Sequence, residues 1–360
     1  MREYSPIHST TSCTTPLLST RNLFRRFRDA DRPAVDDVSF ELYRGEILAL
    51  LGPSGCGKTT TLRMIAGFET PDSGSVFLGE RDITRLPTQK RRIGMVFQDY
   101  ALFPHMTLAE NVAFAMTHLP RKQRHTRALE WLALVNMEEL GERFPEELSG
   151  GQQQRVALVR TLAAEPELVL LDEPFSNLDA SLRERTRKEM RELFKKTDTT
   201  VILVTHDQAE AMTMADRIGV MRQGQLLQVG PPQAVYREPA DTFVAEFLGH
   251  TNLLEGEAEG LSASTALGPI ALNTQAHGPV TLSLRPEDLA LVRSEDPDSA
   301  IVVDREFRGH DYFYLLARGE SRYCAIIPNH DPLEVGARVR LQTSRQASVL
   351  PGAGQPWTQH

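Results

Sequence analysis

Cysteine is scarce in this sequence: Cys13, Cys56 and Cys324 are the only three in 360 residues. So few and so scattered, they build neither a disulfide framework nor a metal cluster, and a reducing cytoplasm fits them. Long apolar runs are missing too. Residues 47–51 and 168–171 are cut short by glycine or charge, far below the roughly 18 residues that cross a bilayer. There is no excess of positive charge: 40 Lys and Arg against 48 Asp and Glu leave a formal net charge of -8. That balance supplies no broad basic surface for a nucleic acid, so none is expected as a partner. The first sixteen residues are rich in Ser and Thr, carry only Arg2 as a positive residue and lack the apolar stretch of a secretory signal. They read as a flexible leader or an overlong start.

What is present is ordinary for a folded, water-soluble chain, with 41% hydrophobic and 24% charged residues and enough length for about two domains. Over residues 17–229 short apolar runs alternate with segments of helical period, which is the pattern of an α/β domain. Buried parallel strands are expected at 47–51, 94–97, 168–171 and 201–204, because a sheet covered on both faces needs nearly continuous Val, Ile and Leu. Polar residues cluster at the C-terminal ends of these runs, the edge at which open α/β sheets bind ligands. Residues 109–164 turn helical, with an apolar stripe of Trp131, Leu132, Leu134, Val135 and Leu140. Beyond Phe247 short β-rich runs appear at 280–284, 301–303, 312–316, 323–327 and 338–341, predicting a small all-β domain. The expected boundaries are a leader at 1–16, the α/β domain at 17–237 with a helical subdomain at 99–164, a linker at 238–251, a β domain at 252–351 and a tail at 352–360.

Three motifs carry chemistry. Gly52, Pro53, Ser54, Gly55, Cys56, Gly57, Lys58 and Thr59 fit G-x-x-x-x-G-K-[ST] directly after a strand, and Thr60 opens a helix-like run at 60–66. The glycines let backbone N–H groups turn inward as an anion nest, Lys58 neutralises outer phosphates and Thr59 ligates Mg²⁺. A glycine turn with an exposed lysine is the bland alternative, and the strand–loop–helix order argues against it. The run at 168–171 delivers Asp172 and Glu173 side by side. Two buried anions side by side repel and imply a cation or a protonated partner: Asp172 to hold Mg²⁺, Glu173 to polarise a water for in-line attack on a γ-phosphate. Ser149, Gly150, Gly151 and Gln152 precede a helical run at 153–164 and form a second anion cradle. One triphosphate has no evident need of two cradles in one chain.

The order of phosphate loop, Gln98, Leu148 to Gln152, Asp172-Glu173, Ser176-Asn177-Leu178-Asp179 and His206 resembles that of ATP-binding-cassette ATPases. The resemblance implies that the second cradle closes over ATP held by a partner copy, so two chains sandwich two ATP molecules. It further implies that Gln98 contacts Mg²⁺ and the attacking water, His206 the γ-phosphate, Asp179 the dimer seam, and Phe27 the adenine. Residues 100–106 would receive a coupling helix from an integral-membrane permease. Cys56, inside the phosphate loop, is expected to be screened from thiol reagents by bound ATP.

The tail resembles the oligomer-binding-fold regulatory extension of importer ATPases, carried by Leu284-Arg285-Pro286-Glu287. Together these imply the ATP-hydrolysing subunit of a binding-protein-dependent importer, peripheral on the cytoplasmic face of the inner membrane. Ferric iron is the expected cargo, from the stretch 98–105; polyamine, sulfate, thiamine, phosphonate and sugar branches share nearly the same core. A soluble ATPase of the same superfamily acting on DNA or ribosomes, or a small-molecule kinase, are the rivals. The first lacks its usual coiled coils and zinc cysteines here, and the second has no use for Ser149 to Gln152.

Overall fold

The computed structural model describes residues 15–28 and 30–351. Cys13, most of the expected leader and the expected tail lie outside the described residues. The chain divides into two compact units, one up to Leu226 and one from Leu227 onward.

The first unit opens with β1 (Leu18–Arg25) and β2 (Val35–Leu42), followed by β3 (Ile47–Leu51), α1 (Lys58–Ala66), β4 (Ser73–Leu78), β5 (Arg81–Asp82) and β6 (Ile93–Val96). Three helices come next, α2 (Leu108–Ala115), α3 (Arg121–Ala133) and α4 (Gly150–Ala163). The chain then alternates through β7 (Leu168–Asp172), α5 (Ala180–Lys196), β8 (Val201–Thr205), α6 (Gln208–Met214), β9 (Arg217–Arg222) and β10 (Gln225–Gly230). Strands order themselves β10-β9-β3-β8-β7-β6 in the main sheet, and the pairs β9–β3, β3–β8, β8–β7 and β7–β6 are all parallel. Every residue of β3 and β8 is buried, as is β7 up to Leu171, which is what a sheet covered on both faces requires. A second, antiparallel sheet of order β2-β1-β4-β5 stands beside it. That sheet was not anticipated from the sequence.

Helix α1 starts and stops on glycine. Gly57 holds φ +105°, and a Cβ there would lie 2.2 Å from the Ala34 carbonyl oxygen; Gly67, at φ +86°, returns its N–H to the Arg63 and Met64 carbonyls. Arg91, fully buried, finishes the same end by donating to the carbonyls of Met64, Ile65, Leu86 and Thr84. In the helical segment α2 carries a capping box, Thr107 with Glu110, and packs on α3 and α4. The expected apolar stripe does not run through as one face. Helix α3 ends at Ala133, so Leu132 and Val135 go inward while Leu134, at the C-cap, is 36% exposed. The helical period stops there, and with it the stripe.

The second unit begins with α7 (Pro232–Arg237) and α8 (Thr242–Phe247), the latter within the expected linker, and continues as strands. These are β11 (Asn252–Thr265), β12 (Gly268–Leu284), β13 (Leu289–Arg293), β14 (Ala300–Phe307), β15 (Asp311–Arg318), β16 (Ser321–Pro328), β17 (Arg338–Thr343) and β18 (Ser348–Leu350). They form sheets of order β11-β12-β18 and β13-β17-β14-β15-β16 around one core that includes Leu254, Leu282, Val302, Tyr314 and Val339. The aromatic run at 312–314 splits with the pleat: Tyr314 is core, and its hydroxyl accepts from the Leu333 N–H at 3.0 Å.

Candidate active site

Of the residues singled out by the sequence, the loop 52–57, Lys58, Thr59, Asp172, Glu173 and His206 gather at the C-terminal ends of β3, β7 and β8, while Phe27, Gln98, Ser149 to Gln152 and Asp179 stand on other elements. Leaving β3, the chain makes the loop 52–57, and α1 begins at once with Lys58 rather than at Thr60, so Lys58 and Thr59 belong to the first helical turn. The free N–H groups of that turn and its positive end face the loop. Lys58 is buried, and its ammonium donates to the carbonyls of Gly52 (2.7 Å) and Pro53 (3.0 Å) and lies 3.7 Å from Cys56 Sγ. No carboxylate pairs with it among the described residues. Gly52 has no room for a side chain, since a Cβ there would lie 2.3 Å from the Met221 carbonyl oxygen and 2.6 Å from Cys56 Sγ. Pro53, Ser54 and Gly55 are exposed at the rim of the loop.

Cys56 corrects one expectation. Its side chain is only 3% exposed, and burial pushes the thiol pKa up, so thiol reagents react slowly whether or not a nucleotide is present. ATP-dependent shielding of Cys56 therefore discriminates nothing.

Asp172 closes β7, and its Oδ1 accepts from the Thr59 hydroxyl at 3.0 Å, bringing together the two proposed metal ligands. Burial raises the Asp172 pKa, with the Thr59 hydrogen bond and the Arg63 charge opposing and the neighbouring Glu173 adding to it. Glu173 adopts φ +46°, a left-handed conformation that a non-glycine residue holds only when its surroundings impose it. Here the Glu173 N–H is fixed to the Val204 carbonyl, and its own carbonyl accepts from the N–H and hydroxyl of Ser176. The carboxylate is thereby turned to face the end of β8, where His206 Nδ1 lies 3.3 Å from Glu173 Oε2. The imidazole is exposed, so it can follow a ligand.

Gln98 follows β6 and is exposed; its carbonyl accepts from Asn177 Nδ2 at 2.9 Å. That tie, across 79 positions of sequence, was not foreseen, because a side chain bonding to a backbone carbonyl leaves no mark at the acceptor's position. Ser149 caps α4: its hydroxyl accepts from the Gln152 N–H while Gln152 Oε1 accepts from the Ser149 N–H. The helix thus starts at Gly150, three residues before the expected Gln153, and Gly150 and Gly151 lie in its first turn with their contacts on Leu178 and Leu182. Asp179 caps α5; the N–H of Leu182 and then the Ser181 hydroxyl hold its carboxyl below the usual carboxylate range.

Phe27 is 42% exposed, and the Arg25 guanidinium lies over its ring, 5.0 Å from the centre. In the segment 100–106, Tyr100 is buried, Pro104 and His105 are exposed, and Phe103 packs edge-on against Phe114, itself 54% exposed. Phe68 and Phe97, also exposed, add a second apolar pair.

A phosphate loop between a buried strand and a helix, an acid pair at the end of a neighbouring strand, and a histidine beyond a third define a P-loop ATPase of the ATP-binding-cassette type. Residues 35–176 match the model of the ABC transporter family and residues 282–350 that of the TOBE domain. The putrescine transport ATP-binding protein PotG of Escherichia coli (strain K12) is 44% identical over 299 residues, 79% of each chain. The sulfate/thiosulfate import ATP-binding protein CysA of Burkholderia mallei is 47% identical over 295 residues, 80% of this chain and 84% of its own. The Fe(3+) ions import ATP-binding protein FbpC of Rhizobium etli is 50% identical over 240 residues, 66% of this chain and 68% of its own. Among solved structures, an ATP-binding cassette described as dimeric, in a post-hydrolysis state and bound to ADP and Pi, matches with TM-score 0.53 and 31% identity over 60% of this chain and 98% of its own. The chain belongs to the ABC transporter family as one of its ATPases, joined to a TOBE domain.

Proposed function

We propose that this chain is the nucleotide-hydrolysing subunit of a binding-protein-dependent importer, working as a homodimer beneath separate membrane subunits. No helix among the described residues is long and apolar enough to cross a membrane; in this reading the path for cargo belongs to the membrane subunits. The observation that carries the reading is the convergence of Lys58, Thr59, Asp172, Glu173 and His206 at one sheet edge, while the second cradle at Ser149 is capped by its own helix. The dimeric state named for the solved relative supports a partner copy as the source of the second cradle.

In this reading Gly52 to Thr60 hold the phosphates, and Phe27 stacks on the base. Thr59 and Asp172, with Gln98, are hard oxygen donors that suit Mg²⁺, and the half-buried Asp172, its pKa raised, has a charge left for a cation to neutralise. When bound, that ion supplies neutralisation of phosphate charge. Glu173 takes the proton of the attacking water, His206 contacts the γ-phosphate, and Ser149, Gly150, Gly151 and Gln152 of the partner close the site, with Asp179 at the seam. ATP stabilises the closed pair through contacts the open pair lacks, and hydrolysis removes them. Residues 100–106 and the exposed Phe114 offer the surface for the membrane subunit.

For cargo we retain ferric iron, on the stretch 98–105 and the FbpC relatives, with putrescine and sulfate as the competitors that the other relatives name. The test uses Glu173→Gln: turnover should fall by roughly 10² or more while ATP binding persists and a stable ATP-bound dimer accumulates. Wild-type turnover removes Glu173 from the chemistry. Copurification of the native chain with a hydrophobic membrane partner separates the importer from a soluble ATPase, and stimulation of that complex by a binding protein loaded with Fe³⁺, putrescine or sulfate assigns the cargo.

A further inference from the structure

Helix α4 begins at the Ser149 cradle and ends beside the segment that follows Gln98. Eleven residues on from Ser149, or about 16 Å along the helix at 1.5 Å per residue, Arg160 projects onto that segment. Its Nη1 donates to the Ala101 carbonyl at 2.7 Å and its Nη2 to the Tyr100 carbonyl at 3.1 Å, and the guanidinium sits 5.4 Å from the centre of the Phe103 ring. Tyr100 and Ala101 are at φ +60° and +45°, two successive non-glycine residues in the left-handed region, which no L-residue adopts without support. The Tyr100 side chain is buried and its hydroxyl has no partner among the described residues, so the turn is not held by that hydroxyl. Within the turn the Tyr100 N–H donates to the Phe97 carbonyl and the Ala101 N–H to the Asp99 carbonyl; what ties it to α4 is one planar, permanently charged fork gripping two adjacent carbonyls.

The geometry points to Arg160 as a positioning residue: it ties the turn at 100–101 to α4, so that movement of the Ser149 corner onto a partner's nucleotide is carried to the apolar surface that starts at Phe103. A helix is stiff over about three turns, so a shift at its N-terminus reaches Arg160 undiminished, and the two bonds to consecutive carbonyls convey rotation as well as translation. Asn177 fixes the other side of the same segment at the Gln98 carbonyl. The segment is therefore held between α4 and the loop before α5. This inference rests on the composite-site reading proposed above.

Amide hydrogen exchange tests it in the full chain, in a Glu173→Gln background with and without Mg²⁺ and ATP. In that parent, ATP should slow exchange at both 149–153 and 98–106. Adding Arg160→Gln should leave ATP affinity and the slowing at 149–153 intact, while 98–106 exchanges roughly tenfold faster and no longer responds to ATP. Arg160→Lys keeps the charge but reaches one carbonyl, and its response at 98–106 should fall between the two. An undiminished ATP response at 98–106 in Arg160→Gln overturns the proposal, and so does loss of both responses together, which marks Arg160 as a fold contact only. If Arg160→Gln does not fold, a response in Arg160→Lys identical to the parent overturns it. Absence of any slowing at 149–153 in the parent is a separate result: it refutes the composite site, and this inference with it.

Discussion

Gly150→Ala separates what the fold needs from what a partner's nucleotide needs. Gly150 is the first residue of α4, and it is not among the residues with positive φ. A Cβ built on it would lie 3.4 Å from Leu178 Cδ2 and 4.0 Å from the Asn177 carbonyl oxygen, ordinary van der Waals contact. Within the protomer, then, a methyl group fits. Replacing glycine by alanine in a compatible conformation stabilises by about 0.4–1 kcal/mol, chiefly by restricting the unfolded chain. For a unit of this size that raises the melting temperature by about 1–4 °C. Gly57 is the contrasting case, because its φ of +105° and the 2.2 Å approach to the Ala34 oxygen make any side chain there disruptive. If the first turn of α4 meets phosphate oxygens of a neighbouring protomer's ATP, the added methyl holds them off by about 1 Å, a displacement that costs on the order of 10² in turnover. The assay is phosphate release measured alongside thermal melting on the same preparation. The expected outcome is a protein that melts higher and hydrolyses ATP about a hundredfold more slowly. Wild-type turnover with a raised melting temperature refutes the reasoning, since Gly150 is then only a helix start.

Asp172→Asn should stabilise the nucleotide-free chain at neutral pH. Burial raises the Asp172 pKa in the fold, so its contribution to stability is complete only below the unfolded value and is lost as pH rises through the folded one. At pH 7 the ionised side chain is a burden that the amide removes. The melting-temperature gap between variant and wild type should shrink as the pH is lowered into the acid range where Asp172 protonates, and a variant that melts lower at pH 7 contradicts this. In the second unit, Asn252 is buried and joins strands: Nδ2 donates to the Leu284 and Cys324 carbonyls, and Oδ1 accepts from the Cys324 N–H. Asn252→Ala leaves those groups unpaired and should cost about 2–4 kcal/mol, read as a lower urea midpoint, whereas an unchanged midpoint shows that water replaces the amide.

The parallel sheet was legible because burial on both faces forces runs such as 47–51 and 201–204 to be continuously apolar. The antiparallel sheet was not, since β1 finds its partners at Leu42 and Leu78, pairings that no local pattern encodes. The hairpin of β11 and β12 escaped for a different reason. Its buried positions include Leu254, Ala258 and Ala263, while glutamates and serines occupy much of the rest, so the stretch reads as polar until the two strands are laid together. At the site, residue types at strand ends announced the chemistry. The ties between them did not, because Arg160 and Asn177 bond to main-chain carbonyls, which every residue possesses.

The buried and half-buried charges of the first unit fall into two kinds. Arg91 is spent: its guanidinium donates to four carbonyls that close α1 and the loop before β6, and nothing further can be asked of it. Lys58 is equally buried, yet its bonds run to carbonyls of Gly52 and Pro53, at the start of the loop in which it lies, and an ammonium rotates freely enough to trade them for phosphate oxygens. Asp172 is desolvated beside a second carboxylate, and that second carboxylate sits on a strained backbone. Within the protomer the Thr59 hydroxyl, Arg63 and Lys58 oppose the first cost only in part, since the Asp172 pKa stays raised. A ligand that binds only the folded state adds about 2.7 kcal/mol when present at about a hundred times its dissociation constant. In the function proposed above, ATP is that ligand, and it meets the charge and the strain where the fold leaves them.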